Sequence, residues 1–177
     1  MILETKKYTL RILDPSYSYD ILRYNEKNRV FHKDSMPKRK DDFFTLDHSE
    51  YMLEEELKKT RDGIFYRFYI FKKRESNIIG DISLYDVKYG HISSAFMGIK
   101  IDQEHSNQGV GSEVVSSIID FAKNELNLHS LRVTIYEDNI SSQKLFTKFG
   151  FTYDGKIKDL FYGTHGWMTH ELYSLIL

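Results

Sequence analysis

The sequence predicts an α/β (α+β) fold: one domain, with a mixed, mostly antiparallel sheet of about seven strands flanked by about four helices. Three observations carry that prediction. Two capped helical stretches precede three consecutive strand-like runs in the first half. The second half switches to a long helical stripe, a strand, a short helix and a closing hairpin. Across all 177 residues no repeat, linker or low-complexity tract interrupts the order.

The elements follow from local chemistry. Tyr8 to Leu13 alternates as a strand and ends at Asp14-Pro15, where an Asp cap and a Pro in the first turn predict a helix to about Val30. Ser35 to Asp42 (SMPKRKDD) reads as a solvated charged loop. Asp47-x-x-Glu50 forms a capping box, and Glu54/Lys58 and Glu55/Lys59 at i,i+4 support a helix that Asp62-Gly63 ends. Ile64 to Lys72 and Ile78 to Val87 form an antiparallel pair, followed by a strand from Ser93 to Ile101 after Tyr89-Gly90. From Gly109 to Leu126 the apolar residues Val110, Val114, Val115, Ile118, Ile119, Ala122 and Leu126 share one helical face, opposite Ser112, Glu113, Ser116, Asp120 and Lys123. Leu131, Val133 and Ile135 mark a strand. Ser141 to Phe149 is a short helix stopped by Gly150, and Phe151 to Lys158 with Trp167 to Ile176 forms the last hairpin.

Composition narrows the chemistry. A formal net charge of -1, from 25 basic and 26 acidic residues, argues against a nucleic-acid partner held by phosphate contacts. No Cys is present, which removes a disulfide framework, a thiolate metal site and a covalent acyl-cysteine intermediate. Of the seven His, His165 and His170 lie nearest in sequence but are not spaced to share a helix face, so no metal site is expected. No apolar run reaches a membrane span of about 18 residues, and Glu4, Lys6 and Lys7 interrupt any signal-peptide core, so the expected compartment is the cytoplasm.

The informative stretch is Gly98 to Ser112: strand, polar loop, then Gln108-Gly109-Val110-Gly111-Ser112 opening the long helix. A helix start has unpaired amides and a partial positive charge, and glycines there let an anion approach. The stretch lacks the Lys-Ser/Thr of a P-loop and the third Gly of a Rossmann fingerprint. Next comes Asn139 to Phe151, NISSQKLFTKFGF, where Asn139 or Ser141 can cap a helix and Leu145, Phe146 and Phe149 suit a core.

Together SNQGVG (Ser106 to Gly111) and NISSQKLFTKFGF resemble the acetyl-coenzyme A signature of the GNAT acetyltransferase superfamily. That signature is Arg/Gln-x-x-Gly-x-Gly/Ala followed by Asn-x-x-Ser/Ala-x-x-Leu-Tyr-x-Lys-x-Gly-Phe. Ile101 to Val115 and Leu10 to Pro15 are similar to its Rim-type branch, which includes acetylases of ribosomal-protein N-termini. The resemblance implies an N-acetyltransferase with acetyl-CoA as co-substrate and an amine acceptor, no metal, and a monomer or homodimer. It divides the chain into a mainly acceptor side (1–96), a coenzyme-binding core (97–151) and the closing hairpin (152–177).

Carried over residue by residue, the resemblance places pantetheine along Ile99 and Ile101, with the Ile99 backbone N–H polarising the thioester. Pyrophosphate falls to Gln108, Gly109, Val110, Gly111 and Ser112, and further coenzyme contacts to Asn139, Ser142 and Phe146. Ser106 stands where Arg or Gln usually begins the loop. Phe146 stands where many members have the Tyr that protonates the leaving thiolate, which leaves Ser142 or water as the acid. No general base stands out; Asp86 and His91 flank the central hairpin but suit turn or surface positions. Three functions therefore stay open: an acetylase of a protein α-amine, one of a small amine (antibiotic, polyamine or amino acid), and a silent acyl-CoA-binding module.

Overall fold

The computed structural model describes residues 1–34 and 36–177, so Ser35, the expected start of the charged loop, lies outside the described residues. Eight strands form a single sheet: β1 (Ile2–Glu4), β2 (Tyr8–Arg11), β3 (Tyr66–Lys72), β4 (Ile78–Lys88), β5 (Ser94–Ile101), β6 (Ser130–Tyr136), β7 (Thr152–Gly163) and β8 (Gly166–Ile176). Four helices flank it: α1 (Ser18–His32), α2 (Leu46–Arg61), α3 (Val110–Asn124) and α4 (Ile140–Lys148). The strand order is β1-β2-β3-β4-β5-β6-β8-β7, with every neighbouring pair antiparallel except β5 and β6.

The eighth strand is β1, whose three residues pair Ile2 with Arg11 and Glu4 with Thr9. A run that short carries no legible alternation, and it exists because β2 offers an edge. Two helix starts also differ from expectation. Asp14 accepts from the Ser16 amide and caps a 3-10 turn, Pro15–Tyr17, before α1 begins. The cap of α2 is Thr45, whose hydroxyl accepts from the His48 amide at 3.2 Å, so the Asp47-x-x-Glu50 box is not the one used.

Two cores lie on opposite faces of the sheet. One packs α3 through Val110, Val114, Val115, Ile118, Phe121 and Ala122 against Phe68, Ile82, Leu84 and Met97. Phe121 completes the stripe by setting its ring edge-on to Tyr66 and Phe68, at centroid distances of 5.5 and 5.3 Å. Ile119 and Leu126, at the margins of the stripe, are half-buried. The second core packs Ile21 and Tyr24 of α1 and Leu53 of α2 on Tyr69, Phe71 and Ile78. No helix among the described residues is long and apolar enough to cross a membrane.

Candidate active site

The site begins with a break in the sheet. β5 and β6 pair only at Ser94–Ser130, Ala95–Leu131 and Phe96–Arg132, although β5 continues to Ile101 and β6 to Tyr136. Beyond Phe96 the two parallel strands part. Strand amides alternate in direction. The Asp102 amide donates to Ile79 on the β4 side at 2.9 Å, and the Ser93 carbonyl accepts from His129 on the β6 side at 2.8 Å. Alternation between these fixed points turns the N–H groups of Met97, Ile99 and Ile101 into the gap.

Behind the gap, Asp102 organises the loop into α3. It is 1% exposed and accepts from the His105 amide at 2.9 Å, shaping the 3-10 turn Gln103–His105. Asp102, Glu104 and His105 lie close enough to suggest a cation site, but Lys27 Nζ stands 3.1 Å from Asp102 and 2.7 Å from Glu104 and supplies the positive charge. Gly109 then turns the chain at φ +84°, in open space, with no side-chain cap over the first amides of α3. A positive φ of this kind costs a residue with a Cβ about 1–2 kcal/mol. Gly111 serves a different need: a Cβ there would sit 3.0 Å from Leu145 Cδ2, so its lack of side chain lets α4 approach α3.

On α4, Asn139 is the cap, accepting from the Ser142 amide at 3.2 Å and the Ser141 hydroxyl at 3.3 Å. Ser142 is half-buried in the first turn. Phe146, 3% exposed, packs edge-on to Phe151 at 5.1 Å. Lys148 reaches back across the helices to place Nζ 3.3 Å from the Ser112 hydroxyl.

Two clefts, each of about 640 Å³, meet at the sheet break. The rear cleft is lined by Ile99, Ile101, Gly109, Val110, Gly111 and Ser112. The front cleft holds Arg67, Asp81, Lys100 and Phe146, and the two share His32, Ile99, Tyr136, Asn139 and Ser142. Gln108 lines neither; its side-chain amide folds back on the Glu104 carbonyl. Asp86 and His91 are exposed and also outside both clefts, Asp86 lying 2.9 Å from Lys88.

The floor of the front cleft is a buried charge network that the sequence reading did not anticipate. Glu56 of α2 bonds Arg67 and accepts from the Tyr69 hydroxyl at 3.2 Å. Arg67 Nε lies 3.5 Å from Asp81, and Lys100 Nζ lies 2.9 Å from the other Asp81 oxygen, close enough to pair though not directed as a hydrogen bond. Burial pushes the Glu56 carboxyl up, against the pull of Arg67. Burial and Lys100 together hold His32 down at about 4. Arg67, Asp81 and Lys100 occupy the same face of three adjacent strands, with Asp81 opposite Lys100 in register. Charges at inward positions of aromatic, β-branched runs were the signal that would have revealed them.

Residues 9–152 match the acetyltransferase (GNAT) domain family, most of the chain. The chain belongs to the GNAT acetyltransferases. Members of that family take the acyl group from acetyl-CoA. This acetyltransferase is 25% identical over 175 residues to the probable N-acetyltransferase YjcK of Bacillus subtilis, covering 99% of this chain and 97% of that protein. It is 26% identical over 96 residues to the spermidine N(1)-acetyltransferase of Vibrio cholerae, covering 54% of this chain and 55% of that one. Its fold is similar to the ribosomal-protein-S5-alanine acetyltransferase of Vibrio fischeri, with a TM-score of 0.93, 26% identity and coverage of 99% and 96%.

One expected result tests the second motif of this GNAT domain. Asn139→Ala removes the α4 cap and should cost about 1 kcal/mol of stability while the fold persists. It should also lower acetyl transfer several-fold, read by steady-state kinetics beside thermal unfolding, because Asn139 lines both clefts where they meet.

Proposed function

We propose that this GNAT domain transfers acetyl from acetyl-CoA to the α-amine of a protein N-terminus by direct attack. The observation that carries the reading is the meeting of two clefts at the gap between β5 and β6, with strand amides turned into it. The coenzyme takes the rear cleft. Its pantetheine runs beside Ile99 and Ile101, supplying the hydrogen bonds β6 does not, and its pyrophosphate meets the first-turn amides of α3 from Gly109 to Ser112, with Lys148 as added positive charge. The acceptor enters from the front, so residues 1–96 serve mainly the amine, 97–151 the coenzyme, and 152–177 close the cleft.

The chemistry needs three things of this chain. The thioester carbonyl must meet a donor as it becomes an oxyanion, and the Ile99 N–H is the strand amide nearest the meeting point. The amine must be neutral, which favours an α-amine titrating near 7.7–8.0 over a Lys near 10.4. The sulfur must leave, and thiols titrating near 8.5 need little help, so the Ser142 hydroxyl or water suffices. Phe146 has no proton to give. Phe146→Tyr should raise kcat where departure of the thiolate limits turnover; an unchanged rate would mean that Ser142 or water already meets the need.

The S5-alanine acetyltransferase likeness supports the α-amine reading. The partial likeness to a spermidine acetyltransferase, with the Glu55 carboxylate at the front cleft, favours a second one, a polyamine acceptor. Acetyl transfer measured by mass spectrometry against peptides with free Ala, Ser and Met N-termini, free amino acids and spermidine separates them. Modification confined to peptide α-amines supports the first, and modification of spermidine alone replaces it with the second. Tight coenzyme binding without any acetylated product would leave a silent acyl-CoA-binding module.

A further inference from the structure

The front cleft holds a histidine that the scheme above does not use. His170 lies on β8, paired in register with Tyr136 of β6 and Ile157 of β7, and is 4% exposed yet lines the cleft. Its Nδ1 stands 3.1 Å from the Met168 carbonyl oxygen, which can only accept. That bond assigns the proton to Nδ1 and the lone pair to Nε2. The ring sits edge-on to Phe161 at 5.0 Å and tilted to Tyr136 at 6.0 Å, so its plane is held by aromatic contacts on two strands.

We propose that His170 Nε2 is the proton acceptor for the attacking amine, directly or through one water. The proposal rests on the two-cleft reading of the site. In the step, the neutral amine attacks the thioester carbon, the N–C bond forms, and the carbonyl electron pair moves to the oxygen facing Ile99 N–H. The nitrogen then carries a surplus proton, which passes to Nε2. On collapse the oxyanion pair restores the C=O bond, the C–S bond breaks, its electron pair leaves with sulfur, and the thiolate takes a proton from water, directly or through the Ser142 hydroxyl, which water reprotonates. His170 returns its proton to solvent.

The other basic groups of the front cleft fit this role less well. Glu56 is committed to Arg67 and Tyr69, and Asp81 stands between Arg67 and Lys100. His32 is held near 4 by burial and Lys100, too weak a base to take a proton at neutral pH. Burial lowers His170 as well, and the Met168 bond and Glu137 oppose that shift in part. The groups facing it are Tyr136, whose hydroxyl bonds Asp138, and Phe161, and Glu137 is the charge that acts on it.

The test uses the whole chain and any amine that the wild type acetylates. His170→Ala and His170→Gln should lower kcat about 10²-fold, the usual contribution of a placed base, with calorimetric acetyl-CoA affinity unchanged. The wild-type kcat should fall on acidification with an apparent pKa below the ordinary His value of about 6.5, and that limb should vanish in both variants. Added imidazole should restore part of the rate to His170→Ala. Variants within about threefold of wild type overturn the proposal, as does a loss with the acid limb intact and no imidazole rescue, which would make His170 a packing residue. A wild type that acetylates no amine is a separate result: it removes the proposed function, and this inference with it.

Discussion

Gly109→Glu is expected to abolish acetyl-CoA binding. The φ of +84° at this position is one that side chains with a Cβ adopt only at a cost of about 1–2 kcal/mol, and the new carboxylate would stand over the open amides that start α3. Loss of charge-assisted hydrogen bonds adds about 1.5–3 kcal/mol each. The sum is a rise in Kd of roughly 10²–10³-fold or more, read by calorimetry. Gly109→Ala is the control. Nothing lies within 4 Å of the Cβ it would add, so it carries the backbone cost alone, a rise in Kd of about 5–30-fold at most, well short of the Glu variant. Undiminished binding by the Glu variant would mean that the diphosphate does not sit on this turn.

Arg67→Leu is expected to produce the largest loss of stability. Arg67 is the cation between Glu56 and Asp81, both buried, and its removal leaves two carboxylates whose remaining close partners among the described residues are Tyr69 and Lys100. Breaking a buried pair from one side costs about 3–5 kcal/mol. In a chain of this size that lowers Tm by roughly 10 °C. The sign with pH follows from the Glu56 carboxyl, already raised by burial against the pull of Arg67. Without that pull it rises further, so the folded form of the variant takes up protons more readily than the unfolded chain. Its stability is then fullest below the ordinary carboxylate range and falls as pH climbs through the raised value. The deficit against wild type should therefore be wider at pH 8 than at pH 5, by thermal unfolding at both. A deficit independent of pH would place the cost in lost packing around the guanidinium instead.

The two ends of the site differed in how far the sequence disclosed them. Gly109 and the α3 stripe were legible because a helix start and a 3.6-residue period are local properties, written within a few residues. So was Asn139, whose side chain caps the helix it begins. The front cleft was not legible in this way. Glu56, Arg67, Asp81 and Lys100 come from one helix and three strands, and only the sheet register brings them together. His170 became notable only once its pairing with Tyr136 carried it to the break. The motif also left the purpose of Gly111 ambiguous, since an anion site and a close helix crossing both ask for the same missing side chain; the 3.0 Å approach of Leu145 gives the crossing a reason of its own.

The short seam between β5 and β6 has a further consequence, for dynamics. Three residue pairs join a five-strand leaf to a three-strand leaf. An acyl-donor arm laid along the open margin would act as a partial ninth strand, stitching the leaves together where the polypeptide itself does not. Amide hydrogen exchange at Ile99 and Ile101 should accordingly slow on addition of the coenzyme, while the already paired amides of Gly98 and Lys100 change little.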